Sequence, residues 1–153
     1  ILYGGSQERG MHPGTENVPG IIGFAEALAI AGETRENEST RLSALRDDCV
    51  GRILLIVPGA EINGSREKRL PNNINISFPG TESEWLVMQL DARGIACGAR
   101  SACMSEKSPG SDVIAALRKG KEYATSSIRI SFGRWTKKSD IDLLVEALGE
   151  IFP

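Results

Sequence analysis

Histidine is nearly absent from this sequence: His12 is the single imidazole in 153 residues. No Cys-x-x-Cys spacing stands beside it, so there is no ligand set for a zinc site. A Cys–His hydrolase would lack its base, because His12 is remote in sequence from every cysteine. An excess of one charge is missing too. Eighteen Lys and Arg stand against twenty Asp and Glu, a net charge of −2, with the two signs interspersed. That balance provides no basic footprint for nucleic acid or for an anionic membrane surface. No apolar run approaches the roughly 20 residues of a membrane span, and nothing reads as a signal peptide. Cys49, Cys97 and Cys103 are an odd number without a paired framework, which points to a reducing, cytoplasmic setting. There is no internal repeat and no low-complexity tract. An initiator methionine is lacking as well: Ile1-Leu2-Tyr3-Gly4-Gly5 reads as the tail of a strand entering a glycine turn, as expected of a fragment or processed chain.

What is present suits one core of ordinary globular composition. Residues 4–20 carry Gly4, Gly5, Gly10, Pro13, Gly14, Pro19 and Gly20, too many breakers for a regular element, and so form a shaped loop. Ile21 to Ala31 are nearly all small or apolar, which predicts a buried helix. Leu42, Leu45, Cys49, Ile53 and Ile56 recur at steps of three and four, one face of a long amphipathic helix that Pro58-Gly59 ends. Ile74, Ile76 and Phe78 alternate with polar residues, a half-buried strand. Thr81 and Glu84 then form a capping-box pair ahead of a helix with Trp85, Met88 and Leu90, stopped by Gly94. Ile95-Ala96 is expected to be a short strand. Residues 97–111 are a Ser/Gly/Ala-rich loop, and Ser108 and Pro109 should open a helix over 109–118. Ile128, Ile130 and Phe132 predict a second alternating strand. A last helix from Ser139 buries Ile141, Leu144, Val145, Leu148 and Phe152. Short strands on two or three helices make a two-layer α/β domain over roughly 50–153.

Two residues stand out chemically. Cys103, in Ser101-Ala102-Cys103-Met104-Ser105, sits in a small-residue loop where a nucleophilic thiol has reach, with Arg100 and Lys107 close enough in sequence to lower its pKa. An inert loop cysteine fits the same spacing. Cys49 on a helix face and Cys97 at a strand end read as packed thiols. Arg129 is turned by strand alternation away from the face of Ile128 and Ile130, into either solvent or a cleft. Its guanidinium fork suits a carboxylate.

Four segments carry a resemblance. Residues 4–20, Gly4-Gly5-Ser6-Gln7-Glu8-Arg9-Gly10 through Gly14-Thr15-Glu16-Asn17, are similar to the glycine-rich loop of NifS-type cysteine desulfurases. Leu70-Pro71-Asn72-Asn73-Ile74-Asn75-Ile76-Ser77-Phe78-Pro79-Gly80 resembles their small-domain strand. Ser101-Ala102-Cys103 resembles their catalytic loop, and Ser126-Ser127-Ile128-Arg129-Ile130-Ser131-Phe132-Gly133-Arg134 their carboxylate-binding strand. The four lie in the family's order along nearly the whole chain.

The resemblance implies the C-terminal part of a fold-type-I enzyme dependent on pyridoxal 5′-phosphate, of the class-V aminotransferase family. Residues 1–20 would end the large domain with its interface loop, 21–57 would be connecting helices, and 58–153 the small domain. Cys103 would take the sulfur of L-cysteine as a persulfide and release L-alanine. Arg129 would bind the substrate carboxylate, and Thr15 the cofactor phosphate of the partner subunit in a homodimer. A sulfur-acceptor protein would follow, serving iron–sulfur cluster or thio-cofactor synthesis. The chain departs from the family at His12, where Arg is usual, at Arg100, where a small residue is, and at Met104, where Thr is. None of its six lysines (68, 107, 119, 121, 137, 138) follows a histidine, so the lysine that carries the cofactor is expected elsewhere and this chain alone should be inactive. A selenocysteine lyase on the same scaffold, or a non-catalytic sulfur-relay module, are the alternatives.

Overall fold

The computed structural model describes residues 3–99 and 110–153. By contacts these divide into two units, Ile1–Asn37 and Glu38–Pro153. In the first, a 3-10 turn at Gln7–Gly10 takes Glu8 and Arg9 into the left-handed region (φ 48° and 57°). The Gln7 carboxamide Oε1 accepts a hydrogen bond from the Gly14 N–H at 3.3 Å, closing the loop on itself. Helix α1 (Val18–Ile56) then begins. Asn17 caps it, its Oδ1 accepting from the Gly20 N–H at 3.1 Å. Pro19 lies in the first turn, where its missing N–H has no partner to lose.

The start of α1 departs from the expectation of a buried helix. Ile21, Ile22, Phe24 and Leu28 are 57%, 64%, 71% and 62% exposed. The helical period is right, but no described residue covers this stretch. A helix apolar on all sides is recognisable in sequence, whereas the surface that buries it is not.

In the second unit, α1 packs Leu42, Cys49, Val50 and Ile53 into the core, with Leu45 and Ile56 partly buried against it. An antiparallel sheet follows in the order β1-β2-β3, from β1 (Glu61–Ile62), β2 (Asn73–Ser77) and β3 (Ser127–Ser131). In the register, Ile74 faces Ile130, Asn75 faces Arg129 and Ser77 faces Ser127. Because side chains alternate, the sheet has two chemically distinct faces. Ile74, Ile76, Ile128 and Ile130 form the apolar one, each no more than 6% exposed. They pack with Leu86 and Leu90 of α2 (Ser83–Asp91) and Ile141, Leu144, Val145 and Leu148 of α5 (Lys138–Ile151). Phe152 stacks on Phe78 with ring centroids 5.2 Å apart. The other face carries Asn73, Asn75, Ser77, Ser127, Arg129 and Ser131. Truncating Ile76 to Ala should cost about 2–5 kcal/mol, read as a lowered midpoint in a urea melt.

Three boundaries differ from the sequence reading. Helix α2 starts at Ser83 with Glu82 at its N-cap, which makes no side-chain cap bond, and it leaves Trp85 and Met88 exposed. Residues 95–96 form no strand; the pairing there is one isolated bridge between Gly98 and Arg129. Helix α3 is Asp112–Ala116 with Ser111 at its N-cap, since Gly110 is left-handed (φ 100°) and cannot belong to the helix. Ser108 and Pro109 lie outside the described residues. A short α4 (Lys121–Thr125) leads into β3. After β3, Arg41 of α1 donates to the carbonyls of Thr136 (2.7 Å), Arg134 (3.2 Å) and Gly133 (3.3 Å) and holds the turn into α5.

Candidate active site

The polar face of the sheet opens into a cleft of about 200 Å³ lined by Asn73, Asn75, Gly98, Ala99, Ser111, Val113 and Arg129. Arg129 borders this cleft and is at the same time exposed. Its backbone is fixed on both sides: β2 pairs with it across the sheet, and on the other edge Gly98 exchanges two bonds with it. The Arg129 N–H donates to the Gly98 carbonyl at 2.6 Å, and the Gly98 N–H donates to the Arg129 carbonyl at 3.1 Å. Among the described residues no carboxylate pairs with the guanidinium, and its cross-strand neighbour is the neutral Asn75. A cation without a resident counter-ion, set among neutral amides, is suited to an anionic group brought in by a ligand.

Cys103 lies outside the described residues, as do Arg100, Met104 and Lys107. The chain runs into that segment from Ala99 and out of it at Gly110, and both Ala99 and Ser111 border the cleft. The exit is tightly built. Gly110 has φ 100°, and a Cβ there would stand 2.8 Å from the backbone carbon and oxygen of Ala124. The Ser111 N–H donates to that same carbonyl at 2.8 Å. Gly110→Ala should destabilise by more than about 1 kcal/mol, measured by the denaturation midpoint, because the left-handed backbone and the main-chain contact both oppose a side chain.

The other two thiols are unsuited to chemistry. Burial pushes Cys49 up to about 12 and Cys97 up to about 11, and both are free thiols. Since an unfolded thiol titrates near 9, the unfolded chain loses these protons first. Stability is thus full below about pH 9 and falls as pH rises from there toward 12. Native protein treated with iodoacetamide at pH 8 should keep Cys49 and Cys97 unmodified until it is unfolded, as read by peptide mass.

Thr15 is exposed in the first unit, in the loop with positive φ at Gly10 (75°) and Gly14 (120°). His12 is exposed in the same loop. A second, much smaller cavity is lined by Arg46, Arg66 and Arg69. Arg46 donates to the Leu70 carbonyl at 3.2 Å. Arg69 donates to the carbonyls of Ser65 and Asn63 and is lowered from its ordinary pKa by burial and by Arg46. Arg46 and Arg69 thus brace the segment between β1 and β2. Among the described residues no group of three His, Cys, Asp or Glu could hold a metal ion, and no helix is long and apolar enough to cross a membrane.

The Asn73 and Asn75 lining was missed in the sequence. The alternation that turned Arg129 to the polar face also turned these two there, but only the strand register makes Asn75 the neighbour of Arg129.

Residues 4–144 match the family model described as aminotransferase class-V. The chain is 39% identical over 148 residues to cysteine desulfurase IscS 1 of Archaeoglobus fulgidus, covering 97% of this chain and 38% of that protein. Among solved structures, a NifS-like protein superposes with a TM-score of 0.84 at 31% identity, covering 99% of this chain and 38% of the other. The NifS-like protein of Rickettsia africae gives 0.83 at 30%, covering 99% and 39%. The chain thus spans less than two-fifths of the length of the relatives it matches.

Proposed function

As the chain belongs to the aminotransferase class-V family, we propose that it forms the C-terminal region of a cysteine desulfurase dependent on pyridoxal 5′-phosphate, which turns L-cysteine into L-alanine and keeps the sulfur as a persulfide on Cys103. The observation that carries this reading is Arg129, a guanidinium with no carboxylate partner among the described residues, in a cleft bordered by both ends of the segment that holds Cys103. Four peptide units separate Ala99 from Cys103, at most about 14 Å of chain, so the thiol is tethered to the cleft's rim.

The cofactor's phosphate end finds a fitting cradle in the first unit. Gly10 and Gly14 have positive φ and open space where a Cβ would stand, so no side chain at either position obstructs the approach of an anion. Thr15 adds an exposed hydroxyl and by this proposal serves the phosphate of the partner subunit in a homodimer. The aldehyde end is not provided for among the described residues: no lysine of theirs lines the cleft, and by this proposal that lysine comes from elsewhere in the protein. When bound, the cofactor supplies an electron sink that loosens the substrate's bond between carbon and sulfur.

This chain's residues supply position and the nucleophile. Arg129 would hold the carboxylate by two parallel charge-assisted bonds and so fix where the sulfur lies. The Cys103 thiolate would attack that sulfur: an S–S bond forms, the C–S bond breaks, and its electron pair stays with carbon, which a proton converts to alanine. Domain limits at 1–20, 21–57 and 58–153, a sulfur-acceptor protein, use of the sulfur for iron–sulfur clusters and a cytoplasmic setting belong to the same proposal.

The test is mass spectrometry on the whole protein after L-cysteine without reductant, expected to find one added sulfur on the Cys103 peptide and stoichiometric alanine. Alanine without sulfur on that peptide would sink the role of Cys103, and no alanine would sink the activity. The isolated 153-residue chain should turn over no cysteine.

A further inference from the structure

Arg129 is not alone on its face of the sheet. Asn75 stands directly opposite it in the register and lines the same cleft. What an asparagine offers a ligand depends on which end of its amide is already engaged, and a chain of hydrogen bonds decides that here. The Ser77 hydroxyl has one proton, and it donates that proton to the Tyr123 carbonyl at 3.0 Å. Its oxygen is therefore an acceptor toward Asn63, whose Nδ2 lies 2.7 Å away. The same Nδ2 places its second proton on the Asn75 Oδ1 at 2.8 Å. Turning the Asn63 amide over would set its oxygen against two acceptors and leave two buried N–H groups without partners. Asn63 is 2% exposed, and its own Oδ1 has no partner, the less costly of the two defects. Its backbone is pinned too, the Asn63 N–H donating to the Asn75 carbonyl at 2.9 Å.

With Oδ1 turned to Asn63, the other end of the Asn75 amide, its two Nδ2 hydrogens, is left for the cleft. We infer that Asn75 is a second substrate-carboxylate ligand beside Arg129, donating through Nδ2, and that buried Asn63 is the positioning residue that holds the amide donor-outward. This rests on the desulfurase reading and deepens it. Arg129 supplies charge and Asn75 supplies a neutral directional donor, so together they select a carboxylate over groups that must donate a proton.

Asn75→Asp in the whole protein is the sharpest test. It is isosteric and still accepts from Asn63, so the network survives, yet it presents an oxygen where the donor was. The KM for L-cysteine should rise about thirty-fold or more, with kcat within about three-fold. The Kd of 3-mercaptopropionate, which carries the carboxylate but no amine to react with the cofactor, should rise by a similar factor in isothermal titration. Asn75→Ala, which removes the donor without adding repulsion, should raise both about five- to ten-fold and carries the test if the carboxylate prevents folding. Asn63→Ala should raise KM while kcat holds, because Asn75 can then rotate. Unchanged KM and Kd in folded Asn75 variants, with only the melting temperature lowered, would make both asparagines structural and overturn the inference. Wild-type protein that releases no alanine from cysteine would instead strike the reading beneath it.

Discussion

Sulfur release from L-cysteine is expected to fall by at least about 10³-fold in Cys103→Ala, to background, while the substrate still binds. Removing the one nucleophile of a reaction removes the step and not a fraction of it. The other two thiols of this chain are no substitute. Cys49 is fully buried and pushed up to about 12, and Cys97 is pushed up to about 11, so at neutral pH almost no thiolate exists at either. Cys49→Ala and Cys97→Ala should accordingly keep turnover, although the first opens a cavity in the core and should lower stability. A coupled assay for alanine and sulfide on the three variants decides the matter. Near-normal turnover in Cys103→Ala would return that residue to the inert loop cysteines.

Arg129→Lys should weaken substrate binding by about 1.5–3 kcal/mol, roughly ten- to a hundred-fold in KM, since an ammonium keeps the charge but lacks the planar fork. The fold should be spared. Arg129 lies on the polar face, and the apolar face is carried by Ile128 and Ile130, 0% and 6% exposed. A merely solvated arginine would give a stability change within about 0.5 kcal/mol and no kinetic effect. Steady-state kinetics beside a thermal melt separate the two.

The elements that were legible in sequence are those whose period alone decides their face. Ile74 and Ile76, Ile128 and Ile130, and the buried series of α5 all fell where alternation or the helical repeat placed them. The same logic put Arg129 away from the core, but whether that meant water or a cleft depended on Gly98, Ala99 and Ser111, which no local pattern brings to it. The first turns of α1 were legible as helix and not as surface, because burial is a property of two partners and only one was in view. Helix α2 shows the limit of cap reasoning. Thr81 and Glu84 have the right spacing, yet the chain enters the helix at Ser83, within the one or two residues by which helix ends slip. Asn75 was invisible as a ligand for a different reason: its proposed role depends on a proton count across β2, α4 and Asn63 just past β1, which is a fact of three dimensions.

The two-faced sheet also ties the chemistry to the core in a way that bears on length variation. β3 reads Ser127, Ile128, Arg129, Ile130, Ser131, five residues whose odd members lie on the polar face of the sheet and even members on the core face. One residue inserted at its start would reverse every one of them, driving a guanidinium among the isoleucines and two isoleucines onto the polar face. Insertions between Gly98 and Gly110 carry no such reversal, because the anchors on either side are set by their own hydrogen bonds. Among relatives of this chain, lengths should therefore vary freely between those two glycines and not at all within β3.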